Sequence, residues 1–406
     1  MKTKDIPVLL ITGYLGSGKT TLLNHILNNQ EGIKFAVIVN DIGAVNIDAD
    51  LIQHGGIVNK SDDSLVSLQN GCICCTLKKD LIDQLQQLLK MKRFDYIVIE
   101  ASGVCDPAPI AQTICSFPKL GKEYTKYGLL KLDSITTVVD ALRMRDEFHC
   151  AECLDHAKVG EEDIENLLIQ QIEFCNLVLL NKASEVSPEE LSRMKHIIHA
   201  LQPKTEIVEC DYAQVDLKQL VNSKGFEFEQ VANSAGWLQE INKHIDEDEC
   251  ESHASEEEHH HHHHEGCSCH HHHHHHNEEG ETEEYGIGTY VYYRRHPFDL
   301  DKFNDFIENH WPHNIIRAKG LCYFSQEFDM SYLFEQAGSQ KQRVPYGHWF
   351  ATMPKNDLQR LLKQEPGLAK EWDETYGDRM QKIVFIGQNL DKEFITQALD
   401  ACLKKD

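Results

Sequence analysis

Gly13-Tyr14-Leu15-Gly16-Ser17-Gly18-Lys19-Thr20 fits the pattern G-x-x-x-x-G-K-[ST], in which a glycine-rich loop binds phosphate groups. An apolar run at 8–12 predicts a buried strand before it, and apolar residues at helical spacing predict a helix over 21–27. A strand, a glycine loop and a helix in that order direct backbone N–H groups and the helix dipole at an anion. We therefore expect a nucleotide, with Lys19 on the β- and γ-phosphates and Thr20 on Mg²⁺. The expected nucleotide contacts in this stretch are Gly13, Gly16, Ser17, Gly18, Lys19, Thr20 and Thr21.

Composition narrows the class of protein. The chain has 406 residues, of which 41% are hydrophobic, so it is long enough for two domains with their own cores. Its formal net charge of −25 argues against a nucleic-acid partner, because phosphate backbones are bound by basic patches. No apolar run approaches the roughly 20 residues of a membrane span, and no signal peptide is evident. The sequence predicts a cytoplasmic protein whose 14 cysteines are thiols or metal ligands rather than disulfides.

Strand-like runs alternate with helical patterns through the first half of the chain. This alternation predicts an α/β fold, a P-loop NTPase parallel sheet flanked by helices. Ligands bind beyond the carboxyl ends of the strands in such sheets, so the polar residues that follow the strands are candidate ligand contacts. These residues are Asn40-Asp41, Glu100, Asp140 and Asn181-Lys182, and the strand-like runs are 35–39, 96–99, 135–139, 177–180 and 207–209.

Residues 244–284 differ from the rest of the chain. They are acidic, nearly free of large apolar residues, and contain two histidine runs at 259–264 and 270–276. Such a composition cannot bury a core, which predicts a disordered histidine-rich linker. The linker separates a P-loop domain, 1–243, from a smaller C-terminal α/β domain, 285–406. In the latter we expect strands at 288–295, 315–321 and 382–387 and helices at 300–308 and 391–402.

A cysteine triplet, Gly71-Cys72-Ile73-Cys74-Cys75-Thr76-Leu77, is the second strong motif. Leucines on one helical face predict a helix from near Thr76, and a helix N-terminus lowers thiol pKa values and favours thiolates. Cys72, Cys74 and Cys75 can therefore converge on Zn²⁺, Co²⁺ or Cu⁺ and leave a fourth position open. Structural cysteines and a redox disulfide are the alternatives. A weaker candidate metal cluster contains His149, Cys150 and Cys153, with His156 beyond it, and surface-loop thiols are the alternative.

Two later segments complete the expected nucleotide site. The run at 96–100 predicts a buried strand that delivers Glu100 toward Mg²⁺ through water, and Gly103 follows where it can sense the γ-phosphate. The expected catalytic residues are thus Lys19, Thr20 and Glu100.

Asn181-Lys182-Ala183-Ser184 is similar to the Asn-Lys-x-Asp element that recognises guanine. Ser184 replaces the acid, and a hydroxyl makes a weaker, uncharged contact. We expect Asn181 and Lys182 to bind GTP, with weaker discrimination against ATP than the intact element gives.

With these motifs in order, the chain closely resembles the CobW-type family of P-loop GTPases, proposed metallochaperones related to the nickel-insertion GTPases. The resemblance covers nearly the whole chain. Asn40-Asp41-Ile42-Gly43-Ala44 resembles the family's Asn-Glu-Phe-Gly-Glu switch segment, with Asp41 at the first acidic place and Ala44 at the second. The resemblance adds Asp41 as a candidate metal ligand. Its C-terminal matches are Arg317-Ala318-Lys319-Gly320 and Gly377-Asp378-Arg379.

The resemblance implies a GTP-hydrolysing metallochaperone with Mg²⁺ in its nucleotide site. Zn²⁺, or alternatively Co²⁺ or Ni²⁺, would bind the Cys-x-Cys-Cys motif and pass to a client metalloprotein. Homo-oligomerisation stays open. Two other functions stay open as well: a zinc buffer whose histidines store metal while the GTPase is vestigial, and a small-molecule kinase.

Overall fold

A computed structural model describes residues 5–28, 32–39, 65–67, 78–149, 164–221, 231, 235–236, 238, 285–338, 340–365, 368–369 and 372–404. The chain divides into two compact units. The first contains Met1–Gly236 and Ala337–Gln340, and the second contains Trp237–Gln336 and Lys341–Asp406. The 244–284 segment, where we predicted the linker, lies outside the described residues.

Parallel strands form the sheet of the first unit. They are β1 (Asp5–Thr12), β2 (Phe35–Val39), β3 (Leu65–Ser67), β4 (Tyr96–Glu100), β5 (Leu129–Asp140), β6 (Leu177–Asn181) and β7 (Glu206–Cys210). Among the described residues the sheet has seven strands, in the order β3-β2-β4-β1-β5-β6-β7, and all neighbours are parallel. The predicted P-loop α/β fold is confirmed.

Helices follow the strands of this sheet. They are α1 (Lys19–Leu27), α2 (Lys78–Met91), α3 (Ala108–Ser116), α4 (Lys122–Thr125), α5 (Ala141–His149), α6 (Ile164–Glu173), α7 (Pro188–Leu201) and α8 (Leu217–Leu220). Helix α1 packs its fully buried Leu22, Leu23 and Ile26 onto a core that includes Leu9 of β1 and Val98 of β4. Each such side chain contributes about 1.5–3 kcal/mol by leaving water, so the helix that follows the glycine loop is firmly attached to the sheet.

Every residue of β2, β4 and β6 is buried. Strands buried on both faces belong to a parallel sheet covered by helices on each side. This explains why the runs are continuously apolar rather than alternating. It also leaves the polar residues at the strand ends as the groups available for chemistry.

An antiparallel sheet organises the second unit. Its strands are β8 (Ile287–Arg294), β9 (Ile315–Phe324), β10 (Glu327–Ala337), β11 (Gln340–His348) and β12 (Gln381–Gln388), in the order β11-β10-β9-β12-β8. Strand β12 is antiparallel to both β8 and β9. The helices are α9 (Leu300–Asn309), α10 (Lys355–Gln364) and α11 (Lys392–Cys402). The sheet is thus antiparallel, and β10 and β11 add to the strands that we expected.

No helix in the described part of the chain is both long enough and apolar enough to cross a membrane.

Candidate nucleotide site

The glycine-rich loop runs from the end of β1 to the start of α1. Gly13 has φ +139° and Gly18 has φ +113°, in the left-handed region that favours glycine. A Cβ on Gly13 would lie 2.3 Å from the carbonyl oxygen of Val138 in β5. Gly16 is exposed at the tip. The loop therefore has this shape only because glycines occupy these positions.

Lys19 and Thr20 open helix α1, where phosphate-binding side chains are expected. The Lys19 side chain is 7% exposed, and its Nζ donates to the carbonyl oxygen of Tyr14 at 3.2 Å, so it folds back across the loop. Thr20 is half-buried and Thr21 is exposed. The hydroxyls of Thr12 and Ser17 are buried and have no hydrogen-bond partner among the described residues. Buried hydroxyls that lack partners fit a polar ligand such as phosphate or hydrated Mg²⁺.

The segment after β4 packs directly on the glycine loop. Glu100, which is 2% exposed, ends β4 beside Ile11 of β1. Three residues on, a Cβ at Gly103 would lie 2.8 Å from the backbone nitrogen of Leu15. Fully buried Gln171 of α6 donates its Nε2 to the Gly103 carbonyl at 3.2 Å. The Glu100-to-Gly103 segment is thus held between the loop and α6.

Asn181, at the end of β6, links two loops. Its Nδ2 donates to the carbonyl oxygen of Ser17 at 2.8 Å, and its Oδ1 accepts from the backbone N–H of Ala213 at 2.9 Å. A Cβ at Gly18 would lie 2.5 Å from the same Nδ2. The side chain therefore fixes the glycine loop against the loop that follows β7.

Lys182 has φ +60°, and its ammonium pairs with the carboxylate of Asp140 at the end of β5. Two of the polar residues that we predicted at the strand ends are therefore in direct contact. The structure brings the P-loop, Gly103 and Asn181 together at the carboxyl edge of the sheet.

Asp211 is a further candidate residue of the nucleotide site, which the sequence did not lead us to expect. The backbone N–H and the hydroxyl of Ser184 donate to its Oδ1 at 3.1 Å and 2.9 Å. The sequence signal was present, because Asp211 comes soon after a predicted strand, as Asp140 and Asn181 do. We predicted that strand at 207–209, whereas β7 ends at Cys210, so Asp211 directly follows the strand only in the structure.

The candidate metal ligands Cys72, Cys74, Cys75 and Asp41 lie outside the described residues, as do Cys150 and Cys153 and the side chain of His149. Within the described ranges, no group of three or more His, Cys, Asp or Glu side chains could hold a metal ion. The proposed metal-ligand roles of Cys72, Cys74, Cys75 and Asp41 therefore stay predictions.

Most described cysteines lie in cores rather than in a reactive site. Burial raises the pKa of the Cys175, Cys210 and Cys402 thiols to about 11, so they stay protonated at neutral pH. Cys105 is buried, but it is disulfide-bonded, so our expectation of a free thiol there was wrong.

Comparison with known families agrees with this geometry. The profile of the CobW/HypB/UreG nucleotide-binding domain matches residues 7–209, and that of the cobalamin synthesis protein cobW C-terminal domain matches residues 287–403. The chain belongs to the CobW/HypB/UreG family. The resemblance that we inferred from the motifs is thus confirmed.

The first of the following named relatives supports the assignment. The zinc-regulated GTPase metalloprotein activator 1 of Dictyostelium discoideum is 33% identical to this chain over an alignment of 424 residues. The alignment covers 99% of this chain and 81% of that protein. The zinc chaperone YjiA of Escherichia coli is 33% identical over 230 residues, covering 55% of this chain and 64% of that protein. The crystal structure of Zn(II)-bound YjiA aligns over 99% of this chain and 100% of its own, with 22% identity and a TM-score of 0.40.

Proposed function

We propose that this protein is a cytoplasmic GTP-hydrolysing metallochaperone that binds zinc at Cys72, Cys74 and Cys75 and transfers it to a client protein. The GTPase part rests on one observation, that Gly103 and Asn181 both contact the P-loop. The zinc part is supported by relatives named as a zinc-regulated GTPase and as zinc chaperones.

In this proposal the phosphates of GTP lie in the cradle from Gly13 to Thr20. The Lys19 ammonium, which donates to the Tyr14 carbonyl oxygen in the structure, stabilises the charge on the β- and γ-phosphates. Thr20 would hold Mg²⁺ directly and Glu100 would hold it through water. When bound, the ion polarises phosphoryl oxygens as a Lewis acid.

Coupling between nucleotide and metal has a physical route through the first unit. Gly103 packs on the P-loop, and the chain continues through Cys105 into α3 (Ala108–Ser116). Helix α2 packs against α3 and begins at Lys78, three residues after the cysteine triplet. A shift of Gly103 in response to the γ-phosphate would therefore be passed toward the proposed zinc ligands.

Phosphate release from GTP by the full chain tests the enzymatic part. Lys19→Ala should lower turnover about 100-fold or more, because one charged contact to the reacting phosphate is lost. The matched control is Lys131→Ala, which removes an exposed lysine at the other end of the sheet. Equal turnover in Lys19→Ala and the unmodified protein would contradict the proposal, whereas loss in both variants would mean that the assay reports stability.

The two histidine runs at 259–264 and 270–276 favour a second candidate, a zinc buffer. Metal titration of the full chain and of a chain lacking 253–276 separates the two. A buffer loses nearly all its capacity with the histidines and ignores nucleotide, whereas a chaperone keeps one tight site.

A further inference from the structure

Ser184 and Asp211 occupy neighbouring loops at the edge of the sheet where the nucleotide is proposed to bind. Strands β6 and β7 are parallel, with Asn181 opposite Cys210. Residues that follow the two strands are therefore side by side. Both hydrogen-bond donors of Ser184, its N–H and its hydroxyl, bind the same oxygen, Oδ1, of Asp211.

These two bonds fix the plane of the Asp211 carboxylate. In the part of the chain that the structure describes, hydrogen bonds reach Oδ1 but none reaches Oδ2. Asp211 is half-buried, and its loop is fastened two residues later where Ala213 N–H donates to Asn181. Asn181 in turn contacts the P-loop carbonyl of Ser17. The acid is thus rigidly placed relative to the phosphate cradle.

The loop holds this position in an uncommon backbone conformation. Tyr212 and Ala213, directly after Asp211, have φ +52° and +53°. Left-handed conformations at non-glycine residues are sparsely populated, and they persist only where the surrounding structure enforces them. Tyr212 is also 78% exposed, which is unusual for a large aromatic side chain. The backbone strain is concentrated beside the carboxylate that Ser184 orients.

Guanine and adenine differ in what they offer such a carboxylate. Guanine presents two adjacent donors, the ring N1–H and the 2-amino group, and a carboxylate accepts two parallel hydrogen bonds. Adenine presents a ring-nitrogen lone pair at the same place and has no 2-amino group, so it would be repelled. An acid at this position therefore discriminates between the bases by charge as well as by geometry.

We propose that Asp211 is the guanine-specificity residue of this protein and that Ser184 orients it. The acid missing from the Asn181-Lys182-Ala183-Ser184 element is then supplied by the neighbouring loop. The proposal rests on the proposed binding of GTP and revises our expectation of weakened base discrimination. The competing explanation is that the Ser184–Asp211 bonds only close the two loops.

Binding of GTP, ITP, XTP and ATP to the full chain distinguishes these explanations. ITP lacks the 2-amino group, and XTP carries an oxygen in its place. The unmodified protein should bind GTP roughly 10-fold or more tighter than ITP, because the second charged hydrogen bond is lost with ITP. Equal affinity for GTP and ITP overturns the proposal without any variant. Preference for ATP, or no binding of any of them, overturns the proposed GTP function itself.

Asp211→Asn should weaken GTP binding by roughly 10- to 150-fold, the equivalent of one charged hydrogen bond. It should also bind XTP more tightly than GTP, since an amide N–H can donate to the oxygen at C2 of xanthine. That gain would show that the variant is folded. The matched control is Asp216→Asn, an exposed acid that accepts from Lys218 N–H and can be replaced by an equally good helix cap.

Ser184 supplies a second, opposite test. Ser184→Ala keeps the backbone N–H bond to Asp211, so GTP affinity should fall only a few-fold, by about the value of one neutral hydrogen bond. Ser184→Asp should weaken GTP binding, because it sets a second carboxylate against Asp211. If Ser184→Asp binds GTP more tightly, or if Asp211→Asn leaves the GTP, ITP and XTP affinities unchanged, Asp211 is not the specificity residue.

Discussion

Replacing Gly103 by Ala tests the contact between the Glu100-to-Gly103 segment and the P-loop. A Cβ at this position would lie 2.8 Å from the Leu15 nitrogen and 3.3 Å from Leu15 Cα and from the Tyr14 carbonyl carbon. All three atoms belong to the backbone, so no side-chain rotation relieves the overlap. Ordinary contact begins near 3.4 Å, so the loop or the segment must move by about 0.6 Å.

That displacement exceeds the tolerance of a catalytic site, which is about 0.5 Å. We therefore expect the GTP turnover of Gly103→Ala to fall about 10-fold or more, equivalent to about 1.4 kcal/mol in activation free energy. The free energy of unfolding should fall by about 1–3 kcal/mol through overpacking. Phosphate release at saturating GTP and chemical denaturation measure the two effects.

Gly121→Ala is the matched control, because its Cβ would meet Glu123 Oε1 at a comfortable 3.8 Å in the same unit. Its turnover should equal that of the unmodified protein. If Gly103→Ala hydrolyses GTP at the normal rate, the close packing does not couple the two segments, and the proposed route toward the metal ligands fails at its first step.

Other predictions concern the metal sites and the second unit. Deletion of 253–276 should remove the capacity for several Zn²⁺ ions and leave basal GTP turnover unchanged, because a histidine tract binds metal independently of the sheet; a collapse of turnover would contradict this. The tract should lose Zn²⁺ below about pH 6 in a metal titration, since imidazole binds metal only when unprotonated; retention at pH 5 would refute it. Asp378→Ala should lower the stability of the second unit by about 1–3 kcal/mol in denaturant unfolding, because its carboxylate accepts from the Phe350 and Ala351 N–H groups; an unchanged unfolding curve would refute that.

Local patterns predicted the fold of the nucleotide-binding unit well. The apolar runs that became β2, β4 and β6 are buried at every residue, so the run itself is the signal. The helix after the P-loop was predicted from the apolar positions of Leu22, Leu23 and Ile26, which are the residues that it buries.

The edge of the second sheet could not be predicted in this way. Strand β11 has polar and charged residues, contains Pro345, and is mostly exposed, as an edge strand tolerates. The strand conformation of β11 therefore depends on its pairing with β10, which the sequence of β11 does not indicate.

The proposed guanine contact was missed for a related reason. Ser184 and Asp211 are 27 residues apart, and only the parallel pairing of β6 and β7 makes them neighbours. The motif at 181–184 gave the position where an acid was absent. The acid that we propose in its place follows a different strand, β7, so no pattern within 181–184 indicates it.

The central claim is that nucleotide state controls metal affinity. Zn²⁺ affinity is measured by competition with a chromophoric chelator, without nucleotide, with GDP and with a non-hydrolysable GTP analogue. We predict that affinity at the tight site differs between the GDP and GTP-analogue states by about 5- to 150-fold, with a reciprocal change in nucleotide affinity. Replacing Cys72, Cys74 and Cys75 together by Ser should abolish both the site and the difference. Identical Zn²⁺ affinity in all three nucleotide states of the unmodified protein would contradict the account.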